Sequence, residues 1–260
     1  FGPIAKWATE IEDAARIPEI LTRAFSVATS GRPGPVVIAL PEDMLTSLVE
    51  APAALPSAPV ETRPGEAELA QFETLLAKAK RPIAILGGTR WGEQAVADMQ
   101  EIARNWSLPV GVEFRRQMLF DHLDENYAGD VGIGINPKLG DYIKGSDLVL
   151  LVGGRFGEMP SSDYTLLKSP YPDQQLVHIH PDTSELGRVY RPTLAINASP
   201  AAFAQAFSSR KPKTVPAWVE QTKQLHADYL KWSTPPQTGP GAVQMGPIIA
   251  YLNEALPEDA

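Results

Sequence analysis

Residues 81 to 90 read Arg81-Pro-Ile-Ala-Ile-Leu-Gly-Gly-Thr-Arg90, an apolar and β-prone run that ends in a pair of glycines. A helical pattern follows at 93–106. Strand, glycine turn and helix in this order form the opening unit of a nucleotide-binding α/β sheet, because the glycines let a phosphate approach the backbone. The pair is not a full G-x-G-x-x-G fingerprint, so by itself it favours a plain strand-to-helix turn over a ligand site.

The composition excludes several classes of function. The chain has 260 residues, of which 43% are apolar, enough for a complete core. Its net charge of −8 argues against a nucleic-acid or anionic membrane partner, because no basic excess neutralises phosphates. The sequence contains no cysteine, which excludes disulfides and zinc–thiolate sites. We expect a cytoplasmic protein whose ligands are small molecules.

Predicted helices and strands alternate through the middle of the chain. Strands are predicted at 83–86, 108–112, 147–152, 175–179 and 193–196, helices at 66–80, 93–106, 137–143 and 201–207, and irregular stretches at 115–137 and 153–173. Several strands are apolar on both faces, which requires cover on both sides. We predict an α/β fold, a Rossmann-like doubly wound parallel sheet of five or six strands with helices on both faces. Its ligand would bind beyond the carboxyl ends of the strands, where the glycine turn and both irregular stretches converge.

The flanking segments look like parts of neighbouring domains. A helix at 17–28 and a buried strand at 36–40 precede a Pro-rich segment at 46–64, which predicts either a stiff linker or a loop packed on the domain. Helices at 216–232 and 247–256 follow the predicted sheet. One helix and one strand cannot bury themselves, so we expect the chain to belong to a longer polypeptide.

Four motifs occur in a fixed order along the chain. They are Ser30-Gly-Arg-Pro-Gly-Pro-Val-Val-Ile-Ala-Leu-Pro-Glu-Asp43, the apolar strand into Gly-Gly at 83–88, S-D-L-V-L-x-V-G-x-R-F at 146–156 and H-I-x-x-D-x-x-E-L-G at 178–187. With these motifs the sequence resembles thiamine-diphosphate enzymes of the acetolactate synthase type. Residues 245–260 resemble the opening of the diphosphate-binding domain of that family.

The resemblance implies a division of the chain and an activity for its parent enzyme. Residues 1–45 would end the pyrimidine-binding domain, 46–64 form a linker, 65–210 the central Rossmann-like domain, 211–242 a linker helix and loop, and 243–260 the start of the diphosphate-binding domain. The parent would decarboxylate or ligate 2-oxo acids with thiamine diphosphate and Mg²⁺, as a homodimer or homotetramer. The residues that activate the cofactor and hold the metal would lie outside this chain. The chain by itself would be inactive and could be a monomer.

The resemblance also implies a nucleotide site in the central domain, for FAD or an adenine nucleotide. The implied contacts are Gly87, Gly88, Thr89, Glu113, Phe114, Gly132, Gly154, Arg155, His180 and Asp182. Arg155 follows a strand and suits a phosphate or a flavin edge, whereas Asp182 suits ribose hydroxyls.

Two departures from the family pattern affect this site. His180 stands where flavin-binding members carry an acidic residue, and the segment 113–117, Glu-Phe-Arg-Arg-Gln, replaces small and apolar residues. A charged cluster there would crowd or repel a flavin. The sequence therefore leaves three states of the domain open: one that binds FAD, one that binds another nucleotide or an acyl-CoA-like ligand, and one that is purely structural.

Three other functions compete with this interpretation. The chain could be a stand-alone nucleotide-binding module without catalytic activity, or a structural spacer of the same enzyme. An NAD-dependent dehydrogenase would need the full glycine fingerprint, which is missing.

His178 and His180 share one face of a strand, but no third ligand at suitable spacing accompanies them, so a structural pair is favoured over a metal site.

Overall fold

The structure, a computed structural model, describes residues 1–50, 52, 58–236, 238–239 and 241–257. In chain order the elements of this part are β1 (Trp7–Glu10), α1 (Ile17–Thr29), β2 (Val36–Ala39), α2 (Glu42–Thr46), α3 (Glu66–Lys78), β3 (Pro82–Leu86), α4 (Glu93–Trp106), β4 (Val110–Glu113), β5 (Tyr127–Val131), α5 (Pro137–Lys144), β6 (Leu148–Val152), β7 (Gln175–Ile179), β8 (Leu194–Ile196), α6 (Pro200–Phe207), α7 (Val219–Ser233) and α8 (Met245–Ala255). None of these helices combines the length and apolar character needed to cross a bilayer.

Six strands form one parallel sheet in the order β5-β4-β3-β6-β7-β8. The strand order runs in one direction from β3 through β4 to β5 and in the other from β6 through β7 to β8. This is the order of a doubly wound dinucleotide-binding fold, and it places the topological switch point between β3 and β6. The predicted fold class is confirmed.

Both faces of the sheet carry a hydrophobic core, because the central strands are apolar throughout. On β6, Leu150 belongs to the core beneath α3, α4 and α6, whereas Leu151 belongs to the core beneath α5 and α7. Aromatic rings fill the first core, where the Phe72 and Phe207 ring centroids lie 4.7 Å apart. Because helices cover both faces of the sheet, a ligand can reach the sheet only at the ends of its strands.

Strand β5 lies in a stretch, 115–137, that the sequence predicted to be irregular, and this prediction was wrong. Gly129 and Asp130 have low β-propensity, and the register with β4 shifts near Gly129, so the strand has no clear alternating pattern. Helix α7 covers this edge strand, with the Tyr229 ring packed edge-on against Tyr127 at 4.7 Å. The helix predicted as a linker therefore packs on the sheet.

The N-terminal segment forms a small parallel sheet of its own. Strand β1, which the sequence analysis missed, pairs with β2 from Trp7 to Glu10. The strand predicted at 36–40 is present as β2, but its predicted burial was wrong, because β2 is only partly covered and Leu40 is 50% exposed. The segment is tied to the main sheet by the Arg90 guanidinium, which donates to the Thr29 carbonyl at 2.7 Å.

The Pro-rich segment at 46–64 is described except for residues 51 and 53–57. Its end packs on the main sheet. The Ser199 N–H donates to the Thr62 carbonyl at 3.2 Å, and Glu61 pairs with Arg90. This end therefore favours the packed loop over the free linker. The predicted domain bounds remain a prediction.

Candidate functional site

Two glycine turns meet at the switch point. Gly87-Gly88 follows β3, and Gly153-Gly154 follows β6, its hydrogen-bonded neighbour. Gly88 has φ +70°, and a Cβ at this position would lie 1.7 Å from the Gly153 carbonyl oxygen. The two turns therefore pack backbone against backbone, and only glycine fits at residue 88.

A carboxylate fills the space above these turns. It belongs to Glu113, the last residue of β4, which is the strand next to β3. A Cβ on Gly87 would lie 2.0 Å from Glu113 Oε2, and one on Gly154 would lie 2.3 Å from Oε1. The Phe156 N–H donates to Oε1 at 3.0 Å. The glycines at 87 and 154 thus make room for a side chain of the same protein.

Burial raises the pKa of Glu113, because removing the carboxylate from water disfavours its charged form. The backbone N–H groups of Phe156 and Gly88 oppose this rise, as do the charges of Arg155 and Arg116. The carboxyl group is therefore held by backbone donors and lies within reach of the charges of two arginines, and these are the kinds of group that would otherwise receive a phosphate.

A cavity of about 370 Å³ lies beside this carboxylate. Three arginines line it, Arg32, Arg116 and Arg155, together with His180. Arg32 comes from the Ser-Gly-Arg-Pro motif outside the predicted central domain, and it was not among the site residues predicted from the sequence. The Ser-Gly-Arg-Pro motif marked Arg32 in the sequence. Its contact with the central domain could not be predicted from the motif, because the two lie far apart along the chain.

The ten residues singled out in the sequence lie around this cavity. Gly88, Thr89, Glu113, Phe114, Arg155 and His180 line it, Gly87 and Gly154 lie against the Glu113 carboxylate, Gly132 packs on Phe114, and the Asp182 N–H donates to His180. The structure thus brings them together at the carboxyl edge of the sheet. Their part in binding a nucleotide remains a prediction.

A second buried carboxylate, Glu185, neutralises part of the positive charge. Its Oε1 lies 2.9 Å from an Arg32 nitrogen, 3.2 Å from one of Arg188 and 3.7 Å from one of Arg155. The sequence analysis recognised Glu185 only as a motif residue. Arg32 and Arg155 both contact the Glu185 carboxylate, whereas Arg116 makes no ion pair among the described residues. Arg116 is therefore the cavity arginine whose positive charge is not balanced by a paired carboxylate.

The two histidines of β7 and its following turn are held by backbone groups. His178 is 4% exposed, and its Nε2–H donates to the Gly154 carbonyl at 2.9 Å. His180 Nδ1 accepts from the Asp182 N–H at 3.0 Å. No cluster of three or more His, Cys, Asp or Glu side chains suited to a metal ion occurs within the described ranges. This geometry fits the structural interpretation of the pair.

Comparison with known proteins confirms the resemblance. A family model described as the central domain of thiamine pyrophosphate enzymes matches residues 69–207. Glyoxylate carboligase of Escherichia coli O157:H7 is 30% identical over 198 residues, which are 75% of this chain and 33% of that protein. The acetolactate synthase large subunit of Parasynechococcus marenigrum (strain WH8102) is 26% identical over 268 residues, covering 98% of this chain and 42% of that protein. The chain thus spans well under half the length of these relatives.

A solved structure has the same fold. Benzoylformate decarboxylase from Polynucleobacter necessarius superposes with a TM-score of 0.67 over 83% of this chain and 40% of that chain. The sequence identity is 19%, so the similarity concerns the fold alone.

The contact between the turns predicts a large effect of Gly88→Ala. The new Cβ would meet a backbone oxygen that cannot move aside, so we expect the free energy of unfolding to fall by about 3 kcal/mol or more. Gly134→Ala is the matched control, because Gly134 has φ +74° with open space around the Cβ position. It should show only the backbone strain, about 1–2 kcal/mol. Equal losses for the two variants in urea unfolding would contradict the close contact.

The burial of His178 predicts a pH dependence of stability. Burial lowers the pKa of His178 to about 4, while the unfolded side chain titrates near its ordinary value of about 6.5. Between these values only the unfolded chain takes up the proton, so the free energy of unfolding should fall as the pH drops from about 6.5 to 4, by up to roughly 3 kcal/mol.

The variant His178→Asn isolates this contribution, because its amide still donates to a carbonyl but does not titrate. Denaturant unfolding at several pH values should show a shallower decline for the variant than for the wild type. Parallel profiles would show that His178 is not buried in its neutral form.

Proposed function

The chain belongs to the thiamine pyrophosphate enzymes through their central domain, and we propose that its parent enzyme makes or breaks a carbon–carbon bond beside the carbonyl of a 2-oxo acid. The match of the family model to residues 69–207 carries this proposal. Relatives named glyoxylate carboligase and acetolactate synthase support carboligation or decarboxylation as the reaction type. When bound, thiamine diphosphate would supply the electron sink for such a reaction.

We assign no catalytic step to this chain. Because the matching family model describes the central domain, we place the sites of thiamine diphosphate and Mg²⁺ in other parts of the enzyme. We also place the enzyme in the cytoplasm, as a homodimer or homotetramer that acts on a small 2-oxo acid.

Within that enzyme we propose that the central domain is a structural scaffold. Its switch point does not fit the diphosphate of FAD or an adenine nucleotide, because the Glu113 carboxylate already lies against Gly87 and Gly154. Contacts from the N-terminal segment support the same role. Arg32 pairs with Glu185 and Arg90 binds the Thr29 carbonyl, so the carboxyl edge of the sheet holds the neighbouring segment in place. A nucleotide-binding role remains the alternative, favoured by the three arginines of the cavity.

The proposed reaction predicts a dependence on the thiamine cofactor. The full-length polypeptide containing this chain should consume a 2-oxo acid such as glyoxylate only when thiamine diphosphate and Mg²⁺ are present. The products should be carbon dioxide together with either the aldehyde or a ligated 2-hydroxy carbonyl compound. Product analysis by mass spectrometry would measure this, with the 260-residue chain alone as the inactive control. Turnover without thiamine diphosphate, or no turnover of any 2-oxo acid, would contradict the proposal.

A further inference from the structure

The switch point of a doubly wound sheet is where dinucleotide-binding folds bring a phosphate against the backbone. Glycine turns serve this contact because they let the phosphate reach free N–H groups. In this protein the same position already holds a hydrogen-bond acceptor with the same preference for N–H donors, the carboxyl group of Glu113.

The contacts of Glu113 on three sides define its place. One oxygen accepts from the Phe156 N–H at 3.0 Å, after the β6 turn. The other oxygen, Oε2, lies only 2.0 Å from the position that a Cβ on Gly87 would take, in the turn after β3. The residue itself follows Val112, which is fully buried and pairs with Leu86 in the sheet. The carboxylate therefore bridges the two turns from a fixed strand end.

This arrangement would oppose a nucleotide by obstruction. A phosphate that approached Gly87 would overlap the Glu113 carboxyl group, because Oε2 lies 2.0 Å from the Cβ position of that glycine. The arginines of the cavity do not remove this obstacle, because the carboxyl group occupies the space whatever the charge around it.

We propose that the Glu113 carboxyl group holds the two glycine turns together and, by occupying the space above them, excludes the diphosphate of a flavin or adenine nucleotide from the switch point. It is thus a specificity-determining residue that keeps the domain a scaffold. This inference rests on the proposed scaffold role. Its test measures binding by the chain itself, so it can fail while the thiamine-dependent reaction stands.

The test is a calorimetric titration of the purified 260-residue chain with ADP and with FAD. The wild type should show no saturable binding of either at millimolar concentration. Glu113→Ala removes the obstructing carboxyl group, so it should bind ADP at least about tenfold more tightly than the wild type. Glu101→Ala, which removes an exposed carboxylate from α4 and changes the net charge equally, should behave as the wild type does.

Each outcome of this titration either supports or overturns the proposal. Stoichiometric binding of FAD or ADP to the wild type would overturn the proposal, as would a folded Glu113→Ala variant that binds ADP no better. If Glu113→Ala does not fold, Glu113→Ser decides, because it also removes the carboxyl group from the space above the turns but keeps a small polar side chain. A gain in ADP affinity for this variant supports the proposal, and a folded variant without a gain overturns it.

Discussion

The switch point depends on a contact between two backbone turns. Gly88 approaches the Gly153 carbonyl so closely that no Cβ fits between them, and the Glu113 carboxylate closes the remaining space. The parallel sheet brings these groups together, because β4, β3 and β6 are neighbours and end at the same edge. The glycines that would suit a ligand phosphate are accounted for by contacts inside the protein. A second buried carboxylate, Glu185, pairs with arginines at the same edge of the sheet. These arginines therefore make ion pairs inside the protein in place of contacts to a ligand.

Much of the fold could be predicted from the sequence where one physical signal dominates. Helix α4 was predicted with its observed ends, 93–106, because its apolar residues keep a helical period and the preceding glycine turn is unambiguous. The fully buried strand β6 was predicted for its continuous apolar run, and β7 was predicted with its observed ends. Strand β5 was missed, because its glycine and its bulge erase the alternating pattern. Strand β1 has four residues, and its pairing with β2 is a long-range contact that no local pattern reveals.

The position of the site could also be predicted, but not its occupant. Alternation of helices and strands places the strand ends together, and this brought residues as distant as Gly87 and Asp182 to one edge. The charge at Glu113 was recognised as unfavourable for a flavin. Its orientation toward Gly87 and Gly154 was not predictable, because it depends on the spacing of three strands and not on any local pattern. Arg32 was missed for the same reason, since a motif gives no distance to a partner that lies 153 residues further along the chain.

A crystal structure of the chain grown with millimolar ADP would test the position of the Glu113 carboxyl group most directly. We predict that the Glu113 carboxylate lies between the two glycine turns, with Oε1 within hydrogen-bonding distance of the Phe156 N–H, and that no phosphate contacts Gly87 or Gly88. A structure in which Glu113 turns away and the ADP phosphates take its place against these glycines would contradict the interpretation of the domain as a scaffold closed by its own carboxylate.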